Sequence, residues 1–127
     1  VSAALQSYGP AVAEYFRRPV RNLGADIGGR AGSLEQGALI CIGADVNEGK
    51  LQQVGFRAFA CPHIIAACNW LVEQLENRPV AALQDIDTDI LKAKFDIPVE
   101  KAGKLLILQD ALKTCYLDFQ GFSASGK

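Results

Sequence analysis

Residues 38–46 alternate, with Ile40, Ile42, Ala44 and Val46 on one side of an extended chain and Cys41 on the other. After Asn47-Glu48-Gly49-Lys50 the same period returns in Val54, Phe56 and Ala58. Together they predict an antiparallel β-hairpin whose turn carries Asn and Gly, residues that tolerate positive φ. At Cys61 the period lengthens from two to about 3.6. Ile64, Cys68, Leu71 or Val72, and Leu75 then line one stripe, and Pro62 stands as the first helical residue. A strand therefore runs into a helix through Cys61. Upstream, a short helix is predicted from Pro10 to about Phe16, with Ala11, Val12, Tyr15 and Phe16 on one face. Arg17 and Arg18 sit at its C-terminal dipole end, and Pro19 stops it. Residues 23–37 are rich in glycine, which suggests strand edges and a mobile loop. Beyond Pro79, short helical pieces are predicted at 80–83 and, capped by Asp87, at 88–94. A last helix is predicted over 99–119, with Leu105, Leu108, Leu112, Cys115 and Phe119 in register. Residues 121–127 read as a frayed, flexible tail.

This pattern predicts an α+β fold: a small antiparallel sheet with one face packed on the helices that begin near Pro62 and Val99. Ile40, Ile42, Val54 and Phe56 should be buried against Leu71, Leu75, Leu108 and Leu112. With 127 residues, half of them hydrophobic, the chain reads as a single domain over 1–127. At that size roughly two-thirds or more of the surface leaves water on folding, so no disulfide staple is needed. The four cysteines show no CxxC or CxxH pairing and no signal-like leader is seen, which points to free thiols and a reducing, cytoplasmic setting. The apolar runs, such as 105–108, are too short to span a bilayer. A net charge of −1 argues against a nucleic-acid partner, and Arg17, Arg18, Arg21 and Arg30 read as a local, solvated cluster. No GxGxxG or P-loop is present, so there is no phosphate cradle.

Two stretches carry a family resemblance. Glu14-Tyr15-Phe16-Arg17-Arg18-Pro19-Val20-Arg21-Asn22-Leu23-Gly24 is similar to an H-Y-x-N-P-R-N-x-G opening, and the strand, Cys and helix passage over 56–75 follows at nearly the matching spacing. In order, they resemble the U-type iron–sulfur cluster scaffold family (IscU, SufU and the N-terminal domain of NifU), over residues 12–119. The resemblance implies the U-type fold, a role in cluster assembly rather than enzyme activity, and a cysteine desulfurase or other assembly protein as partner. Members of that family hold a nascent cluster with three cysteines and a nearby Asp; thiolates bind iron strongly and an oxygen ligand leaves the cluster labile.

Residue by residue, the resemblance implies a depleted ligand set. The middle cysteine maps to Cys61. The family's A-C-G-D segment falls on Leu34-Glu35-Gln36-Gly37-Ala38: an ungapped alignment puts Glu35 at the cysteine, whereas deleting one residue in the Asn47 turn puts Gln36 there and Ala38 at the Asp. The gapped version is preferred, because a one-residue slip would turn Ile40, Ile42, Ala44 and Val46 out of the core. Neither version supplies a thiol. The H-C-S segment maps to Gly103-Lys104-Leu105, anchored by Gln109-Asp110-Ala111-Leu112 against E-D-A-I, so lysine replaces the third cysteine. Ile97-Pro98-Val99-Glu100-Lys101 resembles the L-P-P-V-K chaperone-recognition motif, keeping its first Pro and its Lys. A divergent member is implied, in which Cys61 is a remnant ligand, no [2Fe–2S] cluster binds stably, and Cys61, Glu35 or Gln36, and Lys104 converge at one end.

Several chemistries remain open for Cys61. A helix N-terminus favours a thiolate, and Lys104 would add to that while repelling a metal ion. Alternatively, Cys61 is a small, partly buried packing residue. Cys61, His63 and Glu35 are a donor set that suits zinc, although their spacing gives no specific support. His63 reads as a surface or helix-end histidine. An enzyme using Cys61 with Lys104 or His63 would want a second acid and an oxyanion loop, for which the chain shows no signal. Cys68 and Cys115 occupy apolar stripes as small hydrophobes, and Asp85, Asp87 and Asp89 cap and solvate a helix start.

Overall fold

The two alternating segments pair in the register their patterns require. The computed structural model describes residues 9–18 and 21–124, the side chains of 122–124 excepted. Its elements are α1 (Pro10–Phe16), β1 (Ile27–Ser33), β2 (Ala38–Asn47), β3 (Lys50–Phe59), α2 (Pro62–Leu75), a 3-10 turn (Val80–Gln84), α3 (Thr88–Phe95), a second 3-10 turn (Val99–Lys101) and α4 (Ala102–Ala124). The strands form one antiparallel sheet in the order β1-β2-β3. Gly29, Ile42 and Phe56 stand in one cross-strand row, and Ala31, Ile40 and Ala58 in another. That face lies on the helices. Ile40, Ile42 and Val54 share a single buried cluster with Leu71, Leu75, Leu108 and Leu112, as the α+β expectation demands. Phe56, on the edge strand β3, is half-buried rather than buried.

Three local features differ from the sequence expectation, each for a physical reason. Asp45 pairs with Gln53 but Val46 with Leu51, so Gln52 is an extra residue in β3. This bulge lets Leu51 and Val54, three apart, both face inward. In the hairpin turn, positive φ falls on Glu48 (55°) and Gly49 (77°), while Asn47 stays in the strand. Residues 27–33 form a paired strand rather than loose edges, and Gly29 there answers a close approach: a Cβ would collide with the Ala111 carbonyl and the Cys115 amide of α4. The helix thus lies on β1 at backbone contact. Residues 21–24 cross the sheet's outer face, where Gly24 N donates to Gly43 O at 3.2 Å and Arg57 Nη1 to Arg21 O at 2.8 Å.

The helices follow their stripes. All of Ile64, Cys68, Leu71, Val72 and Leu75 are buried in α2, and the buried amide of Asn69 donates to Tyr15 O at 2.7 Å, which satisfies a terminal carbonyl of α1. Arg18 and Arg21, expected as solvated, instead pair with Glu73 and Glu76 of α2. Asp87 caps α3 as predicted, accepting from Asp89 N at 2.9 Å. The last helix begins through a 3-10 turn at Val99 and runs on to Ala124. The stop at Pro19 and the tail beyond 124 lie outside the described residues. No helix among the described residues is long and apolar enough to cross a membrane.

Candidate functional site

Cys61 stands where the strand period ends and the helical period begins. It is the N-cap of α2, with extended backbone (φ −72°, ψ 164°) and Pro62 as the first helical residue. Its carbonyl accepts from Ile64 N at 3.0 Å and Ile65 N at 3.1 Å, so the backbone starts the helix while the side chain makes no capping hydrogen bond. The residue is half-buried, packed against the core cluster.

His63 is the second residue of α2 and only 6% exposed, so the histidine expected at a surface or helix end is at the helix end but not at the surface. Its Nδ1 lies 3.1 Å from Lys101 Nζ. An ammonium has only protons to offer, so this nitrogen accepts and the imidazole is neutral in that contact. Burial first, and then the Lys101 charge, hold the pKa below the ordinary 6.5, with Asp96 and Glu100 pulling the other way. The contact joins the start of α2 to the 3-10 turn ahead of α4, across 38 positions of chain. Sequence reasoning gave Lys101 no part in this, because nothing local marks a partner so distant.

The segment expected to align with the family's first ligand is the β1–β2 turn. Glu35 and Gln36 are exposed there. Gln36 N donates to Ser33 Oγ at 3.2 Å, the Ser33 hydroxyl donates back to Gln36 Oε1 at 3.2 Å, and Gly37 N donates to Leu34 O at 3.1 Å. Gly37 closes the turn with φ 77°, and a Cβ placed on it would lie 3.5 Å from Lys104 Nζ. The first turn of α4 therefore reaches the β1–β2 turn through Lys104. Ala38, at the Asp position of the gapped alignment, is fully buried.

The structure thus brings Lys104 to the Gln36-Gly37 turn and Lys101 to His63, two residues past Cys61. Glu35 is exposed to solvent and takes part in neither of these two contacts. Among the described residues, no group of three or more His, Cys, Asp and Glu side chains is spaced to hold one metal ion. The other thiols are differently placed. Cys68 and Cys115 are buried, and burial pushes both thiols up, Cys115 to about 12 with Asp118 adding to the effect. Cys41 sits in register between Arg30 and Arg57 on the outer face.

Comparison with known proteins agrees with this architecture. Residues 7–125 match the NifU-like N terminal domain family. The chain is 31% identical to the bifunctional protein NifU/MnmA of Rubrobacter xylanophilus, over 90% of this chain but only a quarter of that protein's length. It is 27% identical to iron sulfur cluster assembly protein 1 of Trachipleistophora hominis, covering 91% of this chain and 88% of that one. The fold superposes on a nitrogen-fixing NifU-like protein (N-terminal) from Brucella abortus with a TM-score of 0.70 at 13% identity, covering 90% and 94% of the two chains. Because the family match spans every element that frames the Cys61 junction, from α1 to α4, the chain belongs to the NifU-like N-terminal domain family of iron–sulfur cluster assembly scaffolds.

Proposed function

We propose that this chain is a divergent, non-enzymatic scaffold of cytoplasmic iron–sulfur assembly that acts by partner binding and through the single thiol of Cys61, without holding a cluster on its own ligands. The observation that carries this reading is the make-up of one end of the molecule. The start of α2 offers one thiol, Cys61, with Lys101 against the His63 imidazole two residues on, and Lys104 at the start of α4 reaches the β1–β2 turn. Iron in a nascent cluster wants thiolate donors. A lysine ammonium has no lone pair to give and repels a cation. The cluster, as cargo, does not fit this donor set, and neither iron nor zinc should be retained.

A lone thiol can still accept sulfur. The Cys61 thiolate attacks the terminal sulfur of a cysteine persulfide on the partner; a new S–S bond forms at Cys61 Sγ as the partner's S–S bond breaks, and the partner leaves as a thiolate. The step exchanges one persulfide for another and needs no outside oxidant or reductant. A cysteine desulfurase is the partner with this chemistry. The names of the similar proteins support the pathway. A second reading rests on the half-burial of Cys61 against the core: a binding module that keeps the fold and has no thiol chemistry.

The test is anaerobic purification with iron, zinc and sulfide analysis, followed by incubation with a cysteine desulfurase and mass spectrometry of the thiols, on the wild type and on Cys61→Ala. Little metal, little visible charge-transfer absorption and a persulfide that vanishes in the variant support the sulfur-accepting role. One cluster per chain overturns the ligand-poor reading. No persulfide on Cys61 leaves the binding module.

A further inference from the structure

Helix α4 has two faces, and among the described residues only one packs on the rest of the chain. Leu105, Leu108, Leu112 and Cys115 are buried in the core. On the other side Leu106, Asp110, Lys113 and Leu117 recur at the alternating four- and three-residue spacing of helices that pack in pairs. All four face solvent, the two leucines at 55% and 63% exposure. Neither Asp110 nor Lys113 forms an ion pair among the described residues. Gly103 and Gly121 stand on the same stripe, about five turns apart, where helical glycine is unfavourable. Among the described residues a Cβ on either would meet nothing within 4 Å, so no contact there requires them.

The four inner positions, Leu106, Asp110, Lys113 and Leu117, are symmetric about a centre between Ala111 and Leu112. We propose that a second copy of this chain docks on this face, α4 against α4, antiparallel about a two-fold axis. Leu106 of one copy then meets Leu117 of the other, Asp110 meets Lys113, and each contact occurs twice, as an isologous interface requires. Charge decides the direction. A parallel pair would set Asp110 against Asp110 and Lys113 against Lys113, whereas the antiparallel pair gives every charge its opposite. The glycines at the two ends let the helix backbones approach.

Leu106 to Leu117 spans about 17 Å of helix, and the whole stripe from Gly103 to Gly121 about 27 Å, so the interface is small and the dimer is weak and reversible. In the pair, Lys104 of one copy lies level with position 119 of the other, which separates the two α4 starts by about 22 Å along the axis. Each Cys61 junction stays with its own copy, and the inference does not depend on what Cys61 does.

Sedimentation equilibrium of the 127-residue chain, loaded from roughly 10 to 500 μM, tests it. The wild type should show a monomer–dimer equilibrium. Asp110→Lys and Lys113→Asp, each putting like charges across the seam, should weaken association by about tenfold or more. The double swap Asp110→Lys/Lys113→Asp should restore it to within about threefold of the wild type. Circular dichroism and urea midpoints of all four proteins check that these exposed substitutions leave the fold intact. A wild type that stays monomeric throughout, single reversals without effect, or a double swap that fails to restore association would each overturn the proposal.

Discussion

The interior beneath the sheet and the end that carries Cys61 are built under opposite constraints. In the interior, Ile40, Val54, Leu83, Leu105 and Leu108 are fully buried in one cluster, and volume dictates what each may be. At the Cys61 end, Glu35 and Gln36 face water, and the turn is closed by hydrogen bonds of Gly37 N to Leu34 O and of Gln36 N to Ser33 Oγ. The start of α2 is set by the Cys61 carbonyl rather than its thiol. At Glu35 and Gln36, side-chain identity is close to free of the fold. Membership of a fold family and possession of its ligands are therefore separable: the turn that carries Gln36 and the helix start that carries Lys104 are held by backbone and neighbouring contacts that ask for no thiol.

Four measurements would break or sharpen this contrast. The largest effect belongs to the interior, where Leu108→Ala should cost about 2–5 kcal/mol of unfolding free energy by urea melts, from lost burial and the cavity left behind. Next is Gly29→Ala, whose new methyl meets α4 backbone that cannot rotate away; about 1–3 kcal/mol should be lost, with a shift of α4 on β1 visible in amide chemical shifts. Third is an alkaline slope. The buried thiols of Cys68 and Cys115 keep their protons well above the ordinary value of 9.0, Cys115 up to about 12. Their contribution is complete below pH 9 and is lost as pH rises toward the folded-state values, because the unfolded chain releases protons that the fold retains. Between pH 9 and 11, stability should fall by at most about 1.4 kcal/mol per pH unit for each thiol, and a Cys68→Ala/Cys115→Ala variant should lose that part of the slope. The smallest effect is at the Cys61 end: Lys104→Ala and Gln36→Ala should move stability by less than about 0.5 kcal/mol. Lys104→Ala should nonetheless slow iodoacetamide labelling of Cys61, which in the wild type should outpace that of Cys68 and Cys115. A stability loss at Lys104 to match that at Leu108 would erase the contrast between the two regions.

What the sequence determined by itself is what local periodicity encodes. Alternation in β2 and β3 sets which side chains share a face, and the change of period at Cys61 sets where strand becomes helix; both follow from backbone geometry over a few residues. The burial of Ile40, Ile42 and Val54, the α2 stripe and the Asp87 cap were legible for that reason. Only the tertiary structure decided the contacts between distant segments. Lys101 meets His63 across 38 positions, Lys104 meets the Gly37 turn, and Gly29 receives α4. Each of these depends on where whole elements settle against one another, and no window of the chain short enough to show a period contains both partners. The outward stripe of α4 belongs to the same class: its symmetry is written in the sequence, but that it faces water and not the core is a result of packing.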